Sequence, residues 1–214
     1  GVPRHYKPEE GIAEAVRLAQ PGRPVVLADR WDNPGGGVAG DSSVMVGALM
    51  KHPEIPAAIG AMWDPVAVSF CRAAGVGAEF RLRFCGKAAP TSGHPIDADV
   101  RVRGITDDLI IPFEQSWVSL GPAAAISIGN LDVVLYSTRA QTFSPPAFTD
   151  RGVDLAAKTL VVVKSSNHFY AARAPIAATV LYLDTGGPYP SDTSKIPYKK
   201  ARRPLAPLDP NPLL

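Results

Sequence analysis

Two stretches of the sequence bring together side chains that can bind or orient a polar ligand. In the first, the apolar run Val25, Val26, Leu27, Ala28 leads into Asp29, Asp32 and Asn33. Pro34, the consecutive glycines Gly35, Gly36 and Gly37, and then Gly40, Asp41, Ser42 and Ser43 complete it. Glycines remove the side chains that would keep a ligand off the backbone, and the first N–H groups of a following helix have no partner inside it. The pattern predicts a cradle for a hydrogen-bond acceptor, with carboxylates beside it. In the second stretch Lys164, Ser165, Ser166, Asn167 and His168 follow the run Leu160 to Val163. If both runs are strands of one parallel sheet, their polar groups gather at its carboxyl edge, where open α/β folds bind ligands. Lys164 and His168 would then face Asp32 and Asn33 across one crevice. A structural salt link or a helix cap would use the same residues.

Several other chemistries fail on spacing. Gly35-x-Gly37-x-x-Gly40 spells the dinucleotide fingerprint, but Trp31 to Pro34 intervene where that motif needs a tight turn after its strand, which leaves dinucleotide binding a minor alternative. Gly35-x-x-x-x-Gly40-Asp41-Ser42 mimics a phosphate loop with Asp41 in place of the lysine, and a carboxylate there repels polyphosphate. A catalytic zinc needs three close ligands and an open position, yet His5, His52, His94 and His168 are scattered, with no H-E-x-x-H. His94-x-x-Asp97-x-Asp99 reads better as a polar hairpin tip. Ala125-x-Ser127-x-Gly129 approaches a nucleophile elbow, with Asp154 and His168 in hydrolase order, but Gly129-Asn130 leads into another strand rather than a helix.

The elements that must position these residues follow from periodicity. Pro8 to Ala19 is an amphipathic helix with Glu9 and Glu10 in its first turn. Val25 to Ala28 is a strand buried on both faces, Val44 to Met50 a helix, and Ile55 to Met62 a second buried strand. Asp64 and Pro65 open a helix that Gly75 closes after Ala74. Ala78 to Phe84 and Asp99 to Ile105 alternate apolar and charged residues, as half-exposed antiparallel strands do. Ile110 to Phe113, Trp117 to Leu120, Ala123 to Ile128 and Leu131 to Tyr136 continue as short strands, with Gly129-Asn130 as a hairpin turn. Leu160 to Val163 and Val180 to Leu183 are further strands, and His168 to Arg173 starts a helix. The expected fold is α/β, a mostly parallel sheet with flanking helices and a β-rich antiparallel insertion or subdomain. Residues 24–76 and 150–185 form the α/β core of one domain spanning 1–214, residues 77–140 the insertion, and 186–214 an extended tail.

With 214 residues, 46% of them hydrophobic, the chain can bury one substantial core. A net charge of +2 gives no argument for nucleic acid or membrane partners. The basic tail, Lys195, Lys199, Lys200, Arg202 and Arg203, reads as a solvated terminus. Cys71 and Cys85 lack metal or redox spacing and read as buried free thiols of a reducing compartment, with a disulfide between them as the alternative. No stretch is apolar and long enough to span a bilayer, so a cytoplasmic location is expected. The abrupt opening GVPRHYKPEE leaves room for an upstream part.

The run DNPGGGVAGDSS, Asp32 to Ser43, resembles the signature of the carboxy-terminal domain of the microcystinase C (MlrC) family of zinc metallopeptidases. AAIGAMWDPVAV, GVGAEFRLRFCGK, KSSNHFYAARAPIA, YLDTGGP and IPYKKARRPLAPLD resemble the same domain in the same order. The resemblance implies metal-assisted hydrolysis of a peptide or other amide bond. It also implies an upstream domain of the same protein that supplies the zinc ligands, while the domain seen here closes over the site. On that view this chain alone is not expected to be active. Asp32, Asn33, Gly35, Gly36, Gly37, Asp41, Lys164 and His168 would line the substrate side of the cleft. A non-catalytic binding or interdomain scaffold module is the competing reading.

Overall fold

The computed structural model describes residues 4–187, 196–206 and 208–209. Within these, the first half runs β1 (His5–Tyr6), α1 (Pro8–Leu18), β2 (Val25–Asp29), α2 (Val44–Leu49), β3 (Ala57–Trp63), α3 (Pro65–Ala74), β4 (Glu79–Phe84) and β5 (Ile96–Thr106). The second half runs β6 (Ile110–Phe113), β7 (Ser116–Ser119), β8 (Ala123–Ile128), β9 (Leu131–Tyr136), α4 (Pro146–Thr149), β10 (Leu160–Val163), α5 (Tyr170–Arg173) and β11 (Thr179–Leu183). About half of the expected tail, 188–195, 207 and 210–214, lies outside the described residues.

Nine strands form one sheet in the order β1-β11-β2-β10-β3-β9-β8-β5-β4. Pairing is parallel from β1 through β9 and antiparallel from β9 to β4. The predicted antiparallel stretch is therefore the sheet's own continuation, entered where β9 lies parallel to β3. Among the described residues the β6–β7 hairpin stands apart, as a two-stranded sheet.

Strand alternation sorts the buried side chains into two cores. Val25, Leu27, Ile59, Leu160 and Val162 face α1, α2 and α3 through Ile12, Met45, Val46, Val68 and Cys71. Val26, Ala28, Ala58, Val161 and Val163 face the opposite layer, made by Leu109, Ile111, Phe143, Phe148 and Phe169. Each Val or Leu so buried is worth roughly 1.5–3 kcal/mol over its exposed state, which explains why β2 and β10 read as unbroken apolar runs.

The order of connections positions the site. From β2 the chain crosses by α2 to β3 on one side, whereas from β10 it crosses by α5 to β11 on the other. Right-handed crossovers in opposite directions must use opposite faces of the sheet. The loops leaving β2 and β10 therefore splay apart between two adjacent strands, the switch point at which open α/β sheets take their ligands.

Candidate functional site

At this switch point lies a buried ionic knot. Lys164 leaves the end of β10 on the α2 side, fully buried. Its Nζ donates to Asp29 Oδ2 at 2.9 Å, to the Ser42 carbonyl at 3.1 Å, and sits 3.1 Å from Asp32 Oδ2. Burial by itself would lower the Lys164 pKa, but Asp29 and Asp32 outweigh it and hold the ammonium above the ordinary lysine value. Burial raises the Asp32 pKa, Lys164 opposes the rise and Asp29 adds to it. Asp29 is completed by Thr185, whose hydroxyl donates to Oδ1 at 2.8 Å.

Asp32 also settles the fate of the predicted cradle. Its Oδ1 accepts from Gly40 N at 3.0 Å and its Oδ2 from Ser42 N at 2.7 Å. Gly35 N donates to Asn33 Oδ1, Gly36 N to the Asn33 carbonyl and Gly37 N to the Pro34 carbonyl, which winds Pro34–Gly36 into a single 3-10 turn. The chain's own carboxylate thus takes the place an external phosphate would occupy, and this removes the physical basis for dinucleotide binding. Gly40 is left-handed, at φ +79, and a Cβ there would stand 2.5 Å from Pro34 Cγ, so the loop needs glycine at that point.

Asp41 faces away from the switch point. Its Oδ2 accepts from Lys87 N and Ala88 N at 2.7 and 2.8 Å, and its Oδ1 from the Ser92 hydroxyl. Ser43, at the head of α2, donates its hydroxyl to the His94 carbonyl at 2.6 Å rather than capping the helix. Asp41 and Ser43 therefore fasten the loop between β4 and β5 to the glycine loop. Asp64 works similarly at α3, accepting from Ala67 N as a cap and pairing with Lys87 at 2.8 Å.

On the opposite face a second polar group gathers. Ser165, one residue past Lys164, faces the other way and accepts from Gln141 Nε2 at 2.8 Å. That bond turns Gln141 Oε1 toward His168 Nδ1, 3.1 Å away. With the amide in this orientation its oxygen accepts, so the neutral ring carries its proton on Nδ1 and leaves Nε2 as the acceptor. Asn33 Nδ2 reaches Ser166 Oγ at 3.1 Å and joins the two loops. Gly35 lies against Gln141, where a Cβ would come within 2.7 Å of Oε1.

Of the eight residues singled out in sequence, seven gather at one edge, though not across one crevice, and Asp41 turns away from it. Asp32 and Lys164 meet on the α2 face, and His168 lies on the other with Gln141, while Asn33 and Gly35 connect them. Gly35, Gly36 and Gly37 are exposed. A cavity of about 330 Å³ is bordered by Trp31, Asp32, Gly37, Ser42, Arg139 and Thr185. Another, of about 340 Å³, is bordered by Phe113, Glu114, Phe143, Asn167 and His168. A larger cavity, about 530 Å³ beside α1 and α2, is lined by none of the eight. Gln141 was not foreseen, because nothing distinguishes it from its polar neighbours in the loop after β9.

Among the described residues no three His, Cys, Asp or Glu side chains stand together as a metal-ligand set. His5 packs against Trp31 and Tyr182, and His52 pairs with Glu9. These residues do not fit a zinc site, and no catalytic step is assigned to a metal on this chain. No described helix is long and apolar enough to cross a membrane.

The family described as MlrC C-terminus matches residues 27–200. The chain belongs to this MlrC carboxy-terminal family. It is 34% identical over 205 residues to microcystinase C from Sphingomonas sp., an alignment covering 95% of this chain and 40% of that protein. A crystal structure from Mesorhizobium sp. BNC1, of a protein taken to be a metallopeptidase, superposes with a TM-score of 0.79 at 25% identity. That alignment covers 96% of this chain and 41% of the other. The MlrC-type chain thus spans about 40% of the length of these relatives. The resemblance seen in DNPGGGVAGDSS and KSSNHFYAARAPIA falls on the loops that meet at the switch point.

Proposed function

We propose that this chain is the carboxy-terminal part of a zinc-dependent peptidase or amide hydrolase, in which it forms a wall of the substrate cleft. An upstream domain of the same polypeptide holds the zinc. The observation that carries this reading is the meeting of the two family-matching loops at the carboxyl ends of β2 and β10, where the chain's direction of crossover reverses. Asp32, Asp41 and Lys164 are spent within the fold and hold the loops in shape. The Gly35 to Gly37 backbone and His168 form the part presented outward, braced by the buried Asn33, with His168 Nε2 as an acceptor for a substrate N–H. Rigid positioning of this kind is what a cleft wall contributes to catalysis.

The test is made in a full-length relative carrying both parts. His168→Ala is expected to lower kcat/KM for peptide hydrolysis about three- to tenfold, the worth of one hydrogen bond, with metal content and melting temperature unchanged. An unaltered kcat/KM would remove the cleft-wall reading and favour the scaffold alternative. That alternative has one observation in its favour: the glycine-loop donors are already satisfied internally.

A further inference from the structure

The cavity beside His168 has a chemistry that the cleft reading does not require. The rings of Phe113 and Phe143 stack with centroids 4.0 Å apart and planes 25° from parallel. His168 meets both edge-on, at 5.4 and 5.8 Å. Glu114, at the exposed tip of the β6–β7 hairpin, supplies a carboxylate to the rim, and Asn167 a side-chain amide. Glu114 has no ion-pair partner among the described residues, and no lysine or arginine lines the cavity. Arg173 lies behind the wall, its Nη2 3.3 Å from the Ser144 carbonyl and its guanidinium over the Phe148 ring.

We propose that this cavity is a subsite for an organic cation on an apolar stem, such as an ammonium or guanidinium group at the end of a side chain. Three features of the lining select that chemistry. The stacked pair Phe113 and Phe143 gives the cavity an aromatic, apolar wall against which the stem of a weakly hydrated organic cation packs. Glu114 provides the opposite charge without a competing partner. His168 Nε2, held as an acceptor by Gln141 on the other ring nitrogen, takes an N–H and offers none. A carboxylate ligand would meet Glu114 by repulsion and find the His168 proton already committed. A volume of about 340 Å³ is large enough for one side chain.

Within the cleft proposed above, the subsite would select peptides with a basic residue beside the bond to be cut, and this biological use rests on that reading. The binding itself does not, because it is measured on this chain alone. The chain is titrated with phenethylammonium, 2-phenylethanol and phenylacetate, following the His168, Phe113 and Phe143 ring resonances by NMR. Saturable shifts are expected with phenethylammonium, and affinity roughly three- to fivefold weaker for the alcohol, the worth of a half-exposed ion pair. Phenylacetate is expected to bind more weakly still. Glu114→Gln, an exposed substitution that leaves the hairpin folded, should bring the cation down to the alcohol's affinity. Absence of saturable shifts at these rings, equal affinity for the three probes, preference for phenylacetate, or an unaffected Glu114→Gln variant would each overturn the proposal. Failure here leaves the His168→Ala test of the cleft standing, and failure of that test leaves a cation site without a catalytic use.

Discussion

At the scale of single residues, Lys164 carries the largest electrostatic consequence. Two carboxylates and a carbonyl converge on one buried ammonium, so removing it leaves Asp29 and Asp32 facing each other out of water. Lys164→Met is expected to cost about 3–5 kcal/mol in urea unfolding at neutral pH, as for other buried pairs that lose one partner. The sign of the pH dependence follows. Burial already raises the Asp32 carboxyl, and without Lys164, which opposes that rise, it goes further above its unfolded value. Such a group contributes stability at low pH that is lost as pH rises through the folded pKa. The deficit of the variant against the parent should therefore shrink between about pH 8 and pH 5. A gap that stays constant over this range would show that the ammonium acts through packing and not through charge.

At the scale of elements, the short helices of the second face carry a cost that the long strands cover. Arg173, in the last turn of α5, is buried against α4 with only Nη2 bonded, while Nε and Nη1 have no partner. Burial pushes its pKa down to about 9, with no carboxylate to oppose the shift. A guanidinium remains charged at neutral pH, so the desolvation appears as lost stability. Arg173→Met keeps the apolar stem and removes the uncompensated charge. It is expected to raise stability by about 1 kcal/mol or more, read as a higher urea midpoint with unchanged m-value. A destabilised variant would mean that the Ser144 bond and the Phe148 stacking outweigh the buried charge. On the first face the accounts differ, because Asp41, Ser43 and Asp64 each satisfy several donors or acceptors at once and tie α2, α3 and the β4–β5 loop together.

At the scale of the molecule, one of the two apolar layers on the nine-stranded sheet, the one under α1, α2 and α3, encloses both thiols. Burial raises the Cys71 thiol to about 11, with Asp64 adding to it, and raises Cys85 well above the ordinary range for the same reasons in the same order. The thiolate is the reactive form, so neither cysteine should react with a thiol-disulfide reagent in the native state near neutral pH. Both should react together, at the rate of global opening, when urea is raised through the unfolding transition. The stability these neutral thiols contribute is present below the ordinary cysteine pKa and lost as pH rises through the folded values. Rapid labelling of either residue under native conditions would indicate local opening of the α3 face. The chain spans about 40% of its relatives, and the edge that presents His168 is where the proposed cleft would meet the rest of such a protein.

What the sequence by itself determined was whatever depends on neighbours along the chain. Val25 to Ala28 and Leu160 to Val163 could only be doubly buried strands, Asp64-Pro65 a helix start, and Gly129-Asn130 a hairpin. Asp32 to Ser43 marked the family because a loop that must bend at Gly40 and close on Asp32 tolerates few alternatives. Tertiary structure decided what depends on which face a side chain takes after its strand ends. Lys164 and Ser165 are adjacent in sequence yet serve opposite faces, which sends one to Asp32 and the other to Gln141. The predicted cradle filled from within because Asp32 reached the loop's N–H groups before any ligand could. Gln141 became the residue that fixes the His168 proton only because β9 lies two strands from β10, a neighbour relation no local pattern encodes.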